Sequence, residues 1–469
     1  MSGDIQAASF NFTEISGRLY LRPGVFFTGR VIFRATSIPL QANHPAPASQ
    51  AGPYKHSRMK RLILSLAACL AVFAWTVAGA AAQVPVYNLE NEVVQRFMDK
   101  GPYAAFGSEE SYFADNAAFP QKYAQDKPAA IGISWKGKAG KTYMVTVTED
   151  GAAGGPVIRK KVQGTSYEIK NLIPQRRYAY KVQKGRKTVA SGVFRTTGQV
   201  RMIAIENSCN ARDLGGWTGL DGRRIRYGWL YRTGSIDGAY AGLCSDNCGG
   251  SRCTSPVHAE AQSQIGDPAM HTLSEESLDE LAQIGIAADL DLRGMTNEGR
   301  WGNQCLSHSR SLGLTKIPGA DFCQIMTDEA LHNPLQDAAI VRDVAWIIQE
   351  LKKGRPVAFH CRSGADRTGA VAMLIEALLG VSAGDIARDY ELTSLSSEGK
   401  GQTRSAKAAL TSSYGFFARG FTTLDVPETD PARRLQKQSY FYLNSYFADE
   451  RISAADLDWF INFMLEPAA

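Results

Sequence analysis

Apolar residues follow two different rhythms along this chain, and the change comes near residue 200. From Ala130 to about Thr197, short runs alternate with period two: 131–135, 142–148, 157–162, 167–169 and 178–182. Turn sequences such as Glu149-Asp150-Gly151 and Lys184-Gly185 separate them, so the spacing predicts a small antiparallel β-sandwich over 127–198. Beyond Val200 strands and helices alternate. The series Thr272-Leu273-Ser274-Glu275 is a capping box opening a helix through Leu278, Leu281 and Ile284. A strand over 286–292 follows, then a helix over 335–351 with apolar positions Ile340, Val344, Ile347, Ile348 and Leu351. Pro356-Val357-Ala358-Phe359 has the character of a buried strand, and 369–379 that of a strongly apolar helix. This order predicts an α/β domain over 199–469, a central sheet flanked by helices, with its site at the carboxyl ends of the strands. The segment 83–126 is expected to be a linker.

Composition is ordinary for a folded chain of 469 residues, 44% hydrophobic and 21% charged, and the length calls for more than one domain. The net charge of 52 − 46 = +6 changes little once it is located. Residues 1–82 hold eight Lys/Arg against Asp4 and Glu14, and the remainder carries 44 of each sign. Bulk electrostatics therefore gives no reason to expect nucleic acid as a partner. Met59-Lys60-Arg61, the apolar run from Leu62 to Val77 and the small residues Ala78-Gly79-Ala80-Ala81-Ala82 form the three-part pattern of a secretory signal over 59–82. Translation is accordingly expected to start at Met59, with 1–58 a non-native extension, and the product to be periplasmic or secreted. A membrane anchor is the competing reading of the same run, the one way this chain would touch a membrane. Leu66-Ala67-Ala68-Cys69 sits too early in that run for lipidation.

Export leaves seven cysteines after Cys69 is removed, an odd number, so at least one thiol stays free. Cys244, Cys248 and Cys253 lie in a Gly/Ser-rich stretch where loop disulfides are the plain reading. A zinc site there lacks a matched fourth ligand, so no metal is expected.

The chemistry concentrates between the strand at 356–359 and the helix after it: His360-Cys361-Arg362-Ser363-Gly364-Ala365-Asp366-Arg367-Thr368-Gly369. Five residues between Cys361 and Arg367 let a short loop curl until the backbone N–H groups of 362–368 converge on one tetrahedral anion beside a helix start. Gly364 permits the tight curl, and Arg367 grips two phosphate oxygens. The same donors favour a thiolate at Cys361, Thr368 can donate to it, and His360 can order the backbone beneath. The loop therefore reads as a nucleophilic phosphate site with Arg362, Ser363, Gly364, Ala365, Asp366, Arg367 and Thr368 around the anion. A buried or disulfide-bonded core cysteine is the bland alternative, and the full set of surrounding residues argues against it.

These motifs resemble the Cys-X5-Arg protein tyrosine phosphatases, and more narrowly the bacterial tyrosine/dual-specificity phosphatases whose loop reads His-Cys-x-x-Gly-Lys-Asp-Arg-Thr-Gly. Asn210-Ala211-Arg212-Asp213-Leu214-Gly215-Gly216, Tyr231-Arg232-Thr233-Gly234, Asp291-Leu292-Arg293 with Glu298, and Asp389-Tyr390-Glu391-Leu392-Thr393 match further family segments in order. The resemblance implies phosphomonoester hydrolysis without cofactor, on a phosphorylated protein or peptide, with phosphoinositides or inositol phosphates as the second class. Ala365 stands where the family has Lys, which makes lipid substrates less expected, and 237–270 looks like a cysteine-bearing insertion. The proton donor is expected at Asp321, 40 residues before Cys361, with Asp366 inside the loop as its rival. Arg212 is a supporting residue that could reach the substrate. In the sandwich, the stretch from Leu172 to Val182 and Trp135 resemble the tyrosine-corner strand and core tryptophan of fibronectin type III domains. A catalytically silent phosphate-binding or adhesion protein is the reading from another class.

Overall fold

The computed structural model describes residues 83–120, 125–150, 157–206, 208–234, 236, 275–293, 320–396 and 403–467. The signal-like stretch 59–82, residues 1–58, the insertion 237–270 and the Cys244, Cys248 and Cys253 cluster lie outside them. Ala82–Ala469 is one compact unit.

β1 (Val86–Asn88) and α1 (Glu92–Met98) precede the strands β2 (Ile131–Ser134), β3 (Thr142–Glu149), β4 (Ile158–Gln163), β5 (Ser166–Ile169), β6 (Arg177–Lys184) and β7 (Lys187–Thr197). β2 pairs with β5, and a five-stranded sheet runs in the order β1-β7-β6-β3-β4, antiparallel except for the parallel β1–β7 edge. Inward-facing Ile131, Ile133, Val145, Val147, Ile158, Tyr178, Val182 and Phe194 share one core, as period two requires. Trp135 is buried with its ring 5.5 Å from Tyr143. The Tyr178 hydroxyl accepts from Ile173 N at 3.0 Å and fixes the bend before β6. The long strand β7 went unanticipated because its polar positions mask the alternation: only Phe194 and Thr196 are buried.

Next come β8 (Arg212–Asp213), β9 (Leu230–Thr233), α2 (Glu275–Ile284), β10 (Ala288–Asp291), β11 (Asp321–Gln324), α3 (Asp328–His332), α4 (Ala339–Lys352), β12 (Val357–His360), α5 (Asp366–Leu378) and α6 (Ala383–Glu391), with shorter segments and helices continuing to Met464. The sheet order is β11-β10-β12-β9-β8, with β11, β10, β12 and β9 parallel. Every residue of β10 and β12 is buried, the pattern of a parallel sheet covered on both faces. α5 is buried from Thr368 to Leu378, which is why its sequence is apolar all round. Mixed sheets with flanking helices fit the α/β expectation. Helix α4 starts at Ala339 rather than 335, and the Ala339 N–H donates to Asp337 just before it at 2.7 Å.

The segment 83–126 is not the linker expected of it. β1 extends the sheet of β7, while Val94, Phe97, Tyr103, Phe113 and Phe119 are buried in the core of the α/β domain. Its far end reaches Asn210, whose N–H donates to Asp126 at 2.6 Å. Sparse aromatics spaced irregularly carry this packing, so no period announces it. Arg201 closes the joint from the other side: buried, it donates to the Leu172 and Asn171 carbonyls next to β6 and pairs with Asp213 at 2.8 Å.

Candidate functional site

Strand β12 ends at His360, and the chain turns through Cys361 to Ala365 before α5 begins at Asp366. Gly364 makes the turn at φ +66°, and a Cβ there would lie 2.5 Å from the Thr233 carbonyl oxygen. Only glycine fits that close approach to β9. The loop's carbonyls are held from behind. Asn210 Nδ2 donates to the Ser363 and Gly364 oxygens at 3.0 and 2.9 Å, and Arg232 donates to Gly364 O at 2.9 Å. In a planar trans peptide the C=O and N–H point oppositely, so pinning these carbonyls turns the N–H groups of Gly364 and Ala365 to the other side. Ala365 at the N-cap of α5 offers no side-chain acceptor, which leaves the first-turn N–H groups for an anion.

Cys361 is buried and carries a free thiol. Burial pushes that thiol up, but the Arg367 guanidinium and the hydroxyl and N–H of Thr368 outweigh it, and the net pKa falls below 9.0. Thr368 Oγ1 is itself buried without an oxygen or nitrogen partner. Beneath the sulfur, His360 Nδ1 lies 3.0 Å from the Cys361 carbonyl and Nε2 lies 3.2 Å from Asp289 Oδ1. Burial disfavours the imidazolium, yet Asp289 and Asp291 raise its pKa overall.

A buried charge network supports the loop. Asp389 at the end of α6 receives Arg212 Nε at 2.8 Å and pairs with Arg232, while Arg212 also donates to Asn210 Oδ1. All three charged side chains are at most 1% exposed. Arg212 is therefore a support acting through Asn210, and it does not reach outward to a substrate. Glu376 of α5 sits against this group, and its carboxyl is pushed well above the usual range by burial and by Asp389.

Two further ion pairs flank the loop. Arg367 lies 3.3 Å from Asp328 of α3. Asp366 Oδ1 receives the Tyr390 hydroxyl and Arg404, each at 3.2 Å. Arg362 and Ser363 are partly exposed at the loop's crown, and Ala365 is buried. Asp321 is elsewhere. It opens β11 in register with Ala288, which in turn faces Val357, so it lies level with the start of β12. At about 3.3 Å per residue the cysteine is some 13 Å further along the sheet, and Asp321 pairs instead with Arg355 at 3.2 Å. A count of residues back from the cysteine could not tell which end of a strand the aspartate would occupy. Asn210, Arg232 and Asp389 lie in segments that the sequence makes recognisable, without revealing their supporting contacts. Asp328 and Arg404 carry no local signal.

The sequence pattern of the tyrosine phosphatase family matches residues 203–242 and 267–465, leaving 243–266 unmatched. A Cupriavidus necator protein, whose name assigns it provisionally to the tyrosine-protein phosphatases, is 24% identical over 201 residues. That match takes in 40% of this chain and 61% of the relative's length.

Proposed function

Since the chain belongs to the tyrosine phosphatase family, we propose that it is an exported phosphatase hydrolysing phosphate monoesters, phosphotyrosine peptides foremost, through a phosphocysteine at Cys361. One observation carries the mechanism: a free, buried thiol of lowered pKa under a pinned loop, with Arg367 and Thr368 against it. Cys361 Sγ attacks phosphorus, forming the P–S bond as the P–O bond to the leaving group breaks. Arg367 and the loop amides stabilise charge on the equatorial oxygens. With Asp321 at the opposite end of the strands, the carboxylate that belongs to the loop is Asp366, which protonates the departing oxygen and then takes a proton from the attacking water. Water attack breaks the P–S bond, releasing phosphate and the thiolate. Ala365 offers no cation where the family has Lys, which weighs against phosphoinositides. The export reading rests on the signal pattern at 59–82. The reading of the β-module as a fibronectin type III-like spacer or binder rests on Trp135 and the Tyr178 hydroxyl.

The test is hydrolysis of a phosphotyrosine peptide by the full chain. Cys361→Ser is expected to lose turnover while still binding phosphate, and a Cys361→Ser variant that turns over would overturn the mechanism. Cell fractionation tests export: a chain that stays in the cytoplasm uncleaved refutes it.

A further inference from the structure

Asp366 is held in a lopsided way. Both of its hydrogen bonds, from the Tyr390 hydroxyl and from Arg404, end on Oδ1, and among the described residues Oδ2 has none. Neither donor is loosely placed. Tyr390 is buried in α6 with its ring against Phe417 at 5.1 Å. Arg404 lies 38 residues beyond Asp366. Its backbone is bracketed by Ser394 Oγ, which accepts from Arg404 N at 2.9 Å and donates to Arg404 O at 3.0 Å. Two donors on one oxygen hold the carboxyl and decide which oxygen is left to carry a proton. A guanidinium cannot give up its proton, so Arg404 always occupies Oδ1 as a donor.

We propose that Tyr390 and Arg404 form an oxygen-selecting clamp: they reserve Oδ1 of Asp366 for themselves and leave Oδ2 as the atom that gives and takes the catalytic proton. The clamp rests on the phosphatase reading above. In the first step the P–O bond breaks as the P–S bond forms, and the leaving oxygen takes the proton from Oδ2. In the second, water bonds to phosphorus, its proton goes to Oδ2, and the sulfur departs as thiolate. Tyr390 and Arg404 are positioning residues in this scheme. Asp328, on the other flank, serves Arg367 and has no part in proton transfer.

A leaving-group comparison on the full chain separates these roles. Phenyl phosphate leaves as a basic phenolate and needs the acid; p-nitrophenyl phosphate leaves unaided far more easily. Asp366→Asn is expected to slow phenyl phosphate by about 10²-fold, the usual worth of a general acid, and p-nitrophenyl phosphate much less. Arg404→Gln and Tyr390→Phe, which keeps the buried ring, should reproduce the same selective loss at about tenfold, the effect of a displaced catalytic group. Arg404→Lys, which retains a charged donor, should recover part of it. Asp328→Asn should raise KM for both substrates alike. Equal losses on the two substrates in Arg404→Gln and Tyr390→Phe would overturn the clamp and mark both residues as structural. Trapping of a phosphoenzyme, lost in Cys361→Ser, checks the underlying phosphatase reading independently of that outcome.

Discussion

Replacing Asp389 by Asn tests the buried network that carries the loop. The substitution keeps shape and one acceptor but removes the negative charge that faces two guanidiniums, Arg212 and Arg232, all of them at most 1% exposed. Breaking such a buried pair costs roughly 3–5 kcal/mol because an unneutralised charge is left inside. Glu376 decides where in that range the loss falls. Burial, and next the Asp389 charge, raise its pKa well above 4.5 and favour the protonated carboxyl. With Asp389 gone the repulsion disappears while both arginines remain, so the Glu376 pKa falls and its carboxylate supplies part of the missing charge as pH rises. The loss should lie towards the lower end of that range at the higher pH and towards its upper end at the lower pH.

The sign for Glu376 itself runs the other way. A carboxyl with a raised native pKa makes stability fall as pH climbs from its unfolded value towards the native one. Glu376→Gln should therefore be nearly neutral at acid pH and increasingly stabilising as pH rises. In the double variant Asp389→Asn loses its rescuer and its cost no longer changes between the two pH values, so the two substitutions are coupled. Urea unfolding of the four proteins at two pH values measures every corner of this cycle. An Asp389→Asn loss below about 1 kcal/mol, or strict additivity with Glu376→Gln, would refute the reasoning. Because Arg212 and Arg232 hold Asn210 and Gly364, kcat/KM of Asp389→Asn should also drop by about tenfold or more.

Three further outcomes follow from the geometry. Thr368→Val removes a hydroxyl that lowers the Cys361 thiol, so the acidic limb of kcat/KM should move to higher pH; an unmoved limb means that the hydroxyl does not serve the sulfur. Gly364→Ala places a Cβ 2.5 Å from Thr233 O at a φ of +66°, and the backbone conformation alone costs about 1–2 kcal/mol. The loop must open, and activity should fall by about 10²-fold while circular dichroism stays native-like; near-normal turnover would show that the curl is not required. Asp321→Ala removes a half-exposed pair with Arg355 worth less than about 1 kcal/mol. It should leave kcat within about twofold, whereas a loss like that expected of a general acid would return Asp321 to the reaction.

Local patterns in the sequence carry much of this. The cysteine, the arginine, the glycine and the threonine of the loop are contiguous, and a run of ten residues between an apolar strand and an apolar helix has few ways to fold. The alternation in 131–182 and the apolar run 357–359 likewise reflect periods set within a few residues. Contacts between segments far apart obey no such period. Arg404 reaches Asp366 from 38 residues further along the chain, Asp328 meets Arg367 from a five-residue helix, and residues 86–119 bury scattered aromatics in a distant core. The case of Asp321 shows why. Parallel strands bring residues level by register, and register is fixed by the packing of the whole sheet. Four residues of offset along β12, invisible in a count along the chain, decided that a carboxylate expected beside the sulfur stands at the opposite end of the strands.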